Sequence, residues 1–322
     1  MKGFRVVLWL PALLLMGGTS AAQEPTAYPS RPVRVLVGAP PGSGSDVMTR
    51  AVTQKLSEKL GQSLIVDNRS GAAGAIALQT LAGATPDGYT LGTLSAQNLT
   101  GMLMNTVPVD IPGVFAPVAL MITQPYLLVV TQSLPVTNVK ELIVLAKSKP
   151  LAYASSGVGT VVHLGMEMLE LMAGMKMTHV PYKGSGVSMI DLIAGRVQLA
   201  ITNTLTATPL VRSGKVRALA VTSPQRSQVL PDIPTVAESG VAGYELRSWY
   251  GLIAPGRMPK AIVAELNRAV AAAVMSPDVQ ERFAADGAEA APANTPEQFR
   301  AHIAADVKRW SAFLERAQIK LE

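Results

Sequence analysis

Short, largely apolar runs alternate with amphipathic segments along most of the chain. Val33 to Val37 has the length of a strand, and from Val47 to Leu60 apolar residues recur every three or four positions, as on one face of a helix. Gly61 follows where a helix should stop. Further strands are predicted over residues 63–66, 89–94, 126–130, 151–154, 177–180, 197–201 and 216–222. Further helices are predicted over residues 74–82, 138–147, 162–173, 187–194, 261–274 and 296–317.

The order of these elements indicates the class of fold. A strand, a loop, a helix and a second strand at this spacing are typical of an α/β protein with a mostly parallel sheet. Two stretches, residues 118–124 and 229–238, could carry the chain between two such units. Residues 23–124 and 228–322 would then form a discontinuous first domain, and residues 125–227 a second. This is the layout of a hinged binding protein with its ligand in the cleft.

The first 22 residues have the pattern of a signal peptide. Lys2 and Arg5 precede an apolar stretch at 6–16, and small residues follow up to Ala22, which predicts cleavage after that residue. The alternative is a membrane anchor, which needs about 20 apolar residues. Because no cysteine follows the small residues, a lipid-anchored lipoprotein is excluded. We expect a periplasmic protein that is soluble after cleavage.

The composition excludes several classes of function. The 322 residues are 48% hydrophobic and 16% charged, with no cysteine. Such a chain is too apolar for intrinsic disorder, and it has no disulfide or thiolate site. The formal charge of +6 includes Lys2 and Arg5 of the signal peptide. The other basic residues are scattered, whereas a nucleic-acid binder carries a basic stripe, so no nucleic-acid partner is expected.

The polar chemistry lies in loops rich in glycine and serine. Residues 42–45 form one of them, after a strand and before a helix. Backbone N–H groups at a helix start carry partial positive charge, which suits a carboxylate or a phosphate. The loop matches neither the dinucleotide fingerprint nor a P-loop, and the alternative is a tight turn with a helix cap. The candidate binding residues here are Gly42, Ser43, Gly44, Ser45 and Asp46.

A second loop of the same design covers residues 155–160. Its serine and threonine hydroxyls can donate hydrogen bonds to a bound carboxylate. Two equivalent loops in two candidate domains favour an anion site shared between them, although each loop could also be a helix-capping turn. The candidates are Ser155, Ser156, Gly157, Thr160 and, in the helix that follows, His163, for which packing or capping is the alternative.

A third strand-to-helix loop covers residues 179–186. Lys183 in this loop could attract an acid, and Gly184 lies beside it. A single loop lysine is more often only solvated, because exposed ion pairs contribute little. We keep Lys183 and Gly184 as candidate binding residues.

Catalytic and metal-binding interpretations find little support. His163, His179 and His302 lack the spacing of metal ligands. A serine hydrolase would pair Ser155 or Ser156 with His163, and the sequence offers no third, orienting group. We therefore expect neither catalysis nor a metal or cofactor, with an exported hydrolase or lyase on the same fold as the alternative.

Seven ordered motifs resemble the periplasmic receptors of tripartite tricarboxylate transporters, often called Bug receptors. The motifs are YPSRP at 28–32, PPGSGSD at 40–46, DNRSGAAG at 67–74, PDGYTL at 86–91, YASSGVGT at 153–160, HVPYKG at 179–184 and LPDIPT at 230–235. Each is weak alone, but their order along nearly the whole mature chain makes the resemblance specific. It implies a two-domain α/β binding protein of the Venus-flytrap type, type II-like with two crossovers, and without a cofactor.

The resemblance also implies where a ligand binds. In the family, the loops that match residues 40–46 and 155–160 grip a ligand carboxylate from both domains, partly through ordered water. The positions that match its pocket walls, and so join the candidates, are Ser95, Ala96, Thr202 and Asn203. This chain departs from the family pattern at Ala39, where an aromatic residue is frequent. The change could reshape the mouth of the cleft, so no particular ligand is carried over.

Taken together, these expectations describe a monomeric receptor for a small carboxylate. Delivery of the ligand to the membrane permease subunits of a tripartite transporter is implied by the resemblance alone. Besides an enzyme, a ligand-sensing protein that binds a partner domain is the alternative.

Overall fold

The computed structural model describes residues 28–104, 111–285 and 287–317. The predicted signal peptide, residues 1–22, lies outside these residues. The strands are β1 (Val33–Val37), β2 (Leu64–Asn68), β3 (Thr90–Ser95), β4 (Phe115–Thr131), β5 (Ala152–Ser155), β6 (Thr178–Pro181), β7 (Leu199–Asn203), β8 (Val216–Val221), β9 (Arg247–Pro255) and β10 (Glu289–Ala290). The helices are α1 (Gly44–Leu60), α2 (Ala75–Ala82), α3 (Ala96–Met104), α4 (Ile111–Val114), α5 (Val139–Ser148), α6 (Val161–Ala173), α7 (Ser185–Ile193), α8 (Thr204–Arg212), α9 (Lys260–Val274), α10 (Pro277–Ala285) and α11 (Pro296–Ala317).

The first sheet is built around β1. This strand pairs in parallel with β2 and β3, and β3 pairs antiparallel with β9. The first part of β4 runs antiparallel to β9, from Phe115 opposite Pro255 to Pro125 opposite Arg247. The short β10 adds to β4 at Thr123.

The second sheet shares strand β4 with the first. From Tyr126 onward, β4 pairs antiparallel with β7 and β8, while β5 pairs in parallel with β6 and β7. The partners of β4 therefore change between Pro125 and Tyr126. Residues 118–124, which we interpreted as a connection, lie inside this continuous strand. The division into two domains, with the bounds given above, remains a prediction.

The expectation of a mostly parallel sheet was wrong. In the described sheets, β4 and β9 run antiparallel to the strands they pair with. The sequence pattern had not indicated β9, α3, α8 or α10. Gly251 lies inside β9 and weakens the strand pattern in the sequence; a β-carbon there would lie 2.0 Å from Phe299 Cζ. Pro209 lies inside α8 and weakens the helix signal.

Apolar residues cover both faces of the first sheet. Val35 belongs to a buried cluster with Met48 of α1, whereas its neighbour Leu36 belongs to the cluster on the opposite face. The cluster that contains Leu36 also includes Trp249 of β9. The Nε1–H of Trp249 donates to Asp306 Oδ2 of α11 over 2.7 Å. Helices therefore flank the sheet on both sides, as expected for the predicted α/β class.

The strand order brings several helix starts to the same edges. At its carboxyl end, β1 leads into α1, β3 into α3, β5 into α6, β6 into α7 and β7 into α8. A short 3-10 turn, Ala72–Gly74, connects β2 to α2. Carboxyl ends of neighbouring parallel strands lie at one edge of a sheet, and ligands bind there in open α/β sheets.

Candidate functional site

A cavity of about 520 Å³, called the cleft cavity below, lies between these helix starts and the middle of strands β4 and β9. Its walls come from segments on both sides of the point where β4 changes partners. The lining residues are Gly38, Ala39, Pro40, Gly42, Ser43, Gly44, Ser45, Met48, Ser70, Gly71, Gly74, Ser95, Gln97, Asn98, Gln124, Tyr126, Ser156, Thr160, Val161, Val162, Ser185, Asn203, Leu205, Thr206, Ser248 and Tyr250.

The cleft cavity is polar without being charged. None of the described residues that line it is an aspartate, glutamate, histidine, lysine or arginine. Six described helices, α1, α2, α3, α6, α7 and α8, place their cap or first-turn residues in its wall. The first N–H groups of a helix have no partner inside the helix and carry partial positive charge. The cavity therefore offers positive potential and free donors to an anion.

Asp46 stabilises the first cleft loop, residues 38–46, from behind. It is 3% exposed, and its Oδ2 accepts from the Gly42 N–H over 2.9 Å. Arg50 Nε and Asn68 Nδ2 each donate to Asp46 Oδ1 over 2.9 Å. Burial alone would raise the pKa of Asp46, but these hydrogen bonds outweigh burial and lower that pKa below its usual value. The carboxylate thus fixes the loop and does not line the cavity.

The second cleft loop, residues 155–160, turns at two glycines. Gly157 and Gly159 have φ angles of +137° and +74°, a region that favours glycine. Thr160 Oγ1 donates to the Gly157 carbonyl over 2.8 Å and caps α6 at the His163 N–H. The cap gives a partner to the N–H of His163, the third residue of α6. The N–H groups of the first two residues, Val161 and Val162, have no partner within the helix, because no helical carbonyl precedes them. Both of these residues line the cleft cavity.

Polar caps also fix the starts of α3 and α8. Ser95 Oγ donates to Asn98 Oδ1 over 2.8 Å and accepts from the Asn98 N–H over 3.2 Å. Asn203 Oδ1 accepts from the Thr206 N–H over 2.8 Å. All four residues line the cavity. These mutual bonds set the directions of the amide and hydroxyl groups before any ligand arrives.

Two tyrosines from the central strands form the floor. Burial raises the pKa of Tyr126, with the nearby Tyr250 adding to the effect, and burial likewise raises the pKa of Tyr250. A hydrogen bond with Ser248 opposes both shifts. Both phenols therefore stay protonated and can donate. A β-carbon on Gly44 would lie 3.2 Å from Tyr250 Oη, so the glycine gives the phenol room near the start of α1.

The structure brings together half of the residues predicted from the sequence. Those that line the cleft cavity are Gly42, Ser43, Gly44, Ser45, Ser95, Ser156, Thr160 and Asn203. Those that do not line it are Asp46, Ala96, Ser155, Gly157, His163, Lys183, Gly184 and Thr202. Lys183 is exposed, whereas Thr202 is buried and alternates with Asn203 along β7. Whether any of them contacts a ligand remains a prediction.

Residues of β4 and β9 complete the cavity, and the sequence reasoning missed them. Tyr126 lies where β4 changes partners, and Ser248 and Tyr250 face the same side of β9 because they are two residues apart. The only sequence signal for these residues was the two-residue spacing of Ser248 and Tyr250. That spacing places both side chains on one face only if the segment is a strand, and β9 had not been predicted.

The Ser–His pair expected for a hydrolase is not the pair that forms. Ser155 Oγ lies 2.7 Å from His179 Nε2, and not beside His163 as the hydrolase alternative would require. His163 Nδ1 instead accepts the Gly159 N–H over 3.1 Å. Ser155 is 1% exposed and lies outside the cavity wall. A substrate in the cleft cavity therefore has no access to its hydroxyl.

The described residues contain neither a metal-binding cluster nor a membrane-spanning helix. The ranges 28–104, 111–285 and 287–317 contain no group of three or more acidic, histidine or cysteine side chains that could hold a metal ion. Within the same ranges, no helix is long and apolar enough to cross a membrane.

Comparison with known proteins agrees with this geometry. The family model described as "Tripartite tricarboxylate transporter family receptor" matches residues 48–319. Protein BugT of Bordetella pertussis is 36% identical over 324 residues, which covers 99% of this chain and 99% of BugT.

Two solved structures share the fold. The Rhodopseudomonas palustris protein Rpa4515, solved with adipate, is 38% identical with a TM-score of 0.79, over 91% of this chain and 99% of that one. MatC from Rhodopseudomonas palustris, solved with bound malate, is 29% identical with a TM-score of 0.75, over 89% of this chain and 100% of that one. Adipate and malate are both small dicarboxylates.

Proposed function

The chain belongs to the tripartite tricarboxylate transporter receptor family, as its motifs predict, and we propose that it binds a small carboxylate in the cleft cavity. The family consists of periplasmic binding proteins, and two similar solved structures hold the carboxylates adipate and malate. The observation that carries the proposal for this chain is the uncharged cavity at six helix starts.

The carboxylate would bind between the two cleft loops. The first-turn amides of α1 and α6, with the hydroxyl of Ser156, would supply donors from opposite sides, whereas the Thr160 hydroxyl already donates to the Gly157 carbonyl. Hydrogen bonds to a charged group contribute roughly 1.5–3 kcal/mol each. A few of them give micromolar binding after the cost of ordering ligand and loops is subtracted.

The carbon skeleton of the ligand would lie along the apolar part of the wall. Met48, Val161, Val162 and Leu205 line the cavity beside the donors. Such a surface accepts methylene groups but offers no cation for a second carboxylate, which would bind to further amides or to ordered water. We infer a ligand with a charged head group and a short aliphatic body.

Closure would complete the site. We take residues 23–124 with 228–322 as one lobe and residues 125–227 as the other, joined at the change of partners in β4. Rotation about this joint would bring the second cleft loop toward the first and exclude bulk water. Exclusion of water strengthens the hydrogen bonds to the carboxylate.

The protein would act in the periplasm and deliver its ligand to a tripartite permease. The family description supports delivery, and the pattern of residues 1–22 supports export. N-terminal sequencing of the exported protein should give Gln23 as the first residue. Uptake of radiolabelled ligand should fall in cells that lack this receptor.

A thermal-shift screen of carboxylic acids tests the binding proposal, with adipate as the first probe. At a ligand concentration near 100 times Kd, a binding acid adds about 2.7 kcal/mol to the free energy of unfolding. Adipate should stabilise the protein, and the uncharged adipamide should not. Equal stabilisation by acid and amide would contradict an anion site. Ser156→Ala should weaken binding while the melting temperature of the free protein stays unchanged.

A further inference from the structure

A stack of three rings, two of them buried and that of His179 half-buried, lies against the second cleft loop. The ring of His179 is 4.0 Å from that of His163 and 4.9 Å from that of Tyr153, with interplanar angles of 15° and 19°. The rings come from three elements, α6, β5 and β6. The mechanism of carboxylate binding described above does not use any of them.

His163 fixes one end of the loop through its ring nitrogen. The Gly159 N–H donates to His163 Nδ1 over 3.1 Å, so this nitrogen carries no proton. The neutral ring therefore has its proton on Nε2, which lies 3.6 Å from Glu167 Oε1. Gly159 immediately precedes Thr160, the cap of α6. The orientation of the cavity amides at the start of α6 thus depends on a neutral imidazole.

His179 fixes the other end. Its Nε2 lies 2.7 Å from Ser155 Oγ, which also accepts the Gly157 N–H over 3.1 Å. Ser155 thereby connects the imidazole to the backbone at the first turn of the loop. The two histidines together support both ends of residues 155–160, and Ser156 between them faces the cavity.

The ionisable groups around the two rings come from β5, from α6 and from the connection that leads into β6. Tyr153 Oη donates to Glu167 Oε1 over 2.5 Å, and the Met177 N–H donates to Glu170 Oε1. A hydrogen bond from His163 lowers the pKa of Glu167 to about 2, despite burial. Burial and the charge of Glu167 raise the pKa of Glu170 to about 7, while Lys176 opposes that shift.

The same surroundings keep His179 neutral. Burial, with His163 next to it, lowers the pKa of His179 to about 4, although Glu167 opposes the shift. Two charged imidazoles 4.0 Å apart would also repel each other. A proton on His163 Nδ1 would face the Gly159 N–H, so that two donors would point at one another.

We propose that His163 and His179 are positioning residues that hold the second cleft loop in its ligand-binding shape, His163 through the Gly159 amide and His179 through the Ser155 hydroxyl. The effect on ligand binding rests on the proposed function; the positioning of the loop does not.

Reciprocal amide substitutions separate positioning from general packing. In His163→Asn the amide oxygen can take the place of Nδ1 and still accept the Gly159 N–H, whereas in His163→Gln it cannot. At position 179 the roles reverse, because His179→Gln can replace Nε2 beside Ser155 and His179→Asn cannot. Both members of each pair lose the ring stack, so a purely structural role predicts equal effects within a pair.

The first readout needs no ligand. Hydrogen exchange of the Gly159 amide, followed by NMR in the ligand-free protein, should be about tenfold faster in His163→Gln than in His163→Asn. His179→Asn should loosen the Gly157 amide more than His179→Gln does. Equal exchange within both pairs overturns the proposal, whether or not adipate binds.

The second readout is the affinity for adipate. His163→Gln should bind adipate about tenfold more weakly than His163→Asn at pH 7.5. Equal affinities of His163→Gln and His163→Asn would overturn the effect of this ring on ligand binding. If wild-type protein does not bind adipate at any pH, the proposed function fails for this probe, and the exchange comparison still decides the positioning role.

Discussion

The first cleft loop, residues 38–46, and the second, residues 155–160, both join a strand to a capped helix at the cleft cavity. They differ in what lies behind them. Asp46, an anion with three donors around it, holds the first loop. Two neutral imidazoles and a buried serine hold the second.

Because a carboxylate supports one loop and imidazoles support the other, we expect the two loops to respond differently to pH. The pKa of Asp46 lies below its ordinary value, so the stability it contributes is present above that value and is lost only as pH falls through the lowered pKa. The first loop should therefore be unchanged between pH 8 and pH 5. In the second loop, the pKa of His179 is lowered from 6.5 to about 4, so the stability that its neutral ring contributes is present above the ordinary value and is lost as pH falls toward the lowered one. Acid should therefore destabilise the second loop before the first.

The largest expected effect is the loss of the carboxylate behind the first loop. Asp46→Ala would leave the Gly42 amide, Arg50 and Asn68 without their acceptor in a nearly closed site. We expect the free energy of unfolding to fall by about 3 kcal/mol, as measured by chemical denaturation. Asp46→Asn should cost about half as much, because one acceptor oxygen remains. A cost below about 0.5 kcal/mol for both variants would remove the contrast between the loops.

The two adjacent serines of the second cleft loop should affect different properties: Ser155 the stability of the protein, and Ser156 its affinity for the ligand. Ser155→Ala removes the partner of His179 and of the Gly157 amide and should lower the free energy of unfolding by about 1.5 kcal/mol. Ser156→Ala should leave stability unchanged and weaken adipate binding by about tenfold in a calorimetric titration. If Ser155→Ala weakened binding without destabilising the protein, Ser155 would belong to the site and the assignment of its role would be wrong.

The acidic group under the second loop should make stability depend on pH. Glu170 has a raised pKa, about 7, so its contribution to stability is present below its ordinary pKa and is lost as pH rises through the raised one. Glu170→Gln cannot ionise. Its melting temperature should exceed that of the wild type by more at pH 8 than at pH 5, by an amount equivalent to about 1 kcal/mol. A constant difference across this range would show that Glu170 does not titrate there.

The smallest expected effect is at Lys183. Its side chain is exposed and does not line the cleft cavity, and surface ion pairs contribute little. Lys183→Met should change the Kd for adipate by less than about twofold at 150 mM salt. A tenfold loss would mean that a cation and not the helix starts attracts the ligand.

The sequence was most informative where local pattern sets the structure. Glycine and serine between an apolar strand and an amphipathic helix predicted both cleft loops, because helix capping and positive φ angles depend on neighbouring residues. Residues 42–45 line the cavity as that pattern suggested. The family motifs added Ser95 and Asn203, which also line it.

The sequence was least informative where distant residues meet. Ser155 and Ser156 look equivalent in the sequence. Ser155 is the last residue of β5 and is buried, whereas Ser156 follows the strand and lines the cavity. His179, the partner of Ser155, lies on the neighbouring strand β6. Tyr250 and Ser248 were missed because β9 was not predicted, and the need for Gly251 appears only when Phe299 packs against it.

The most direct test of an anion site built from helix starts is a crystal structure of the protein with an acid that stabilises it. The account predicts one carboxylate within hydrogen-bonding distance of main-chain amides at the starts of α1 and α6, with Ser156 as a side-chain donor. It also predicts that no lysine or arginine contacts that carboxylate. A carboxylate bound by a basic side chain, or bound outside the cleft cavity, would contradict the account.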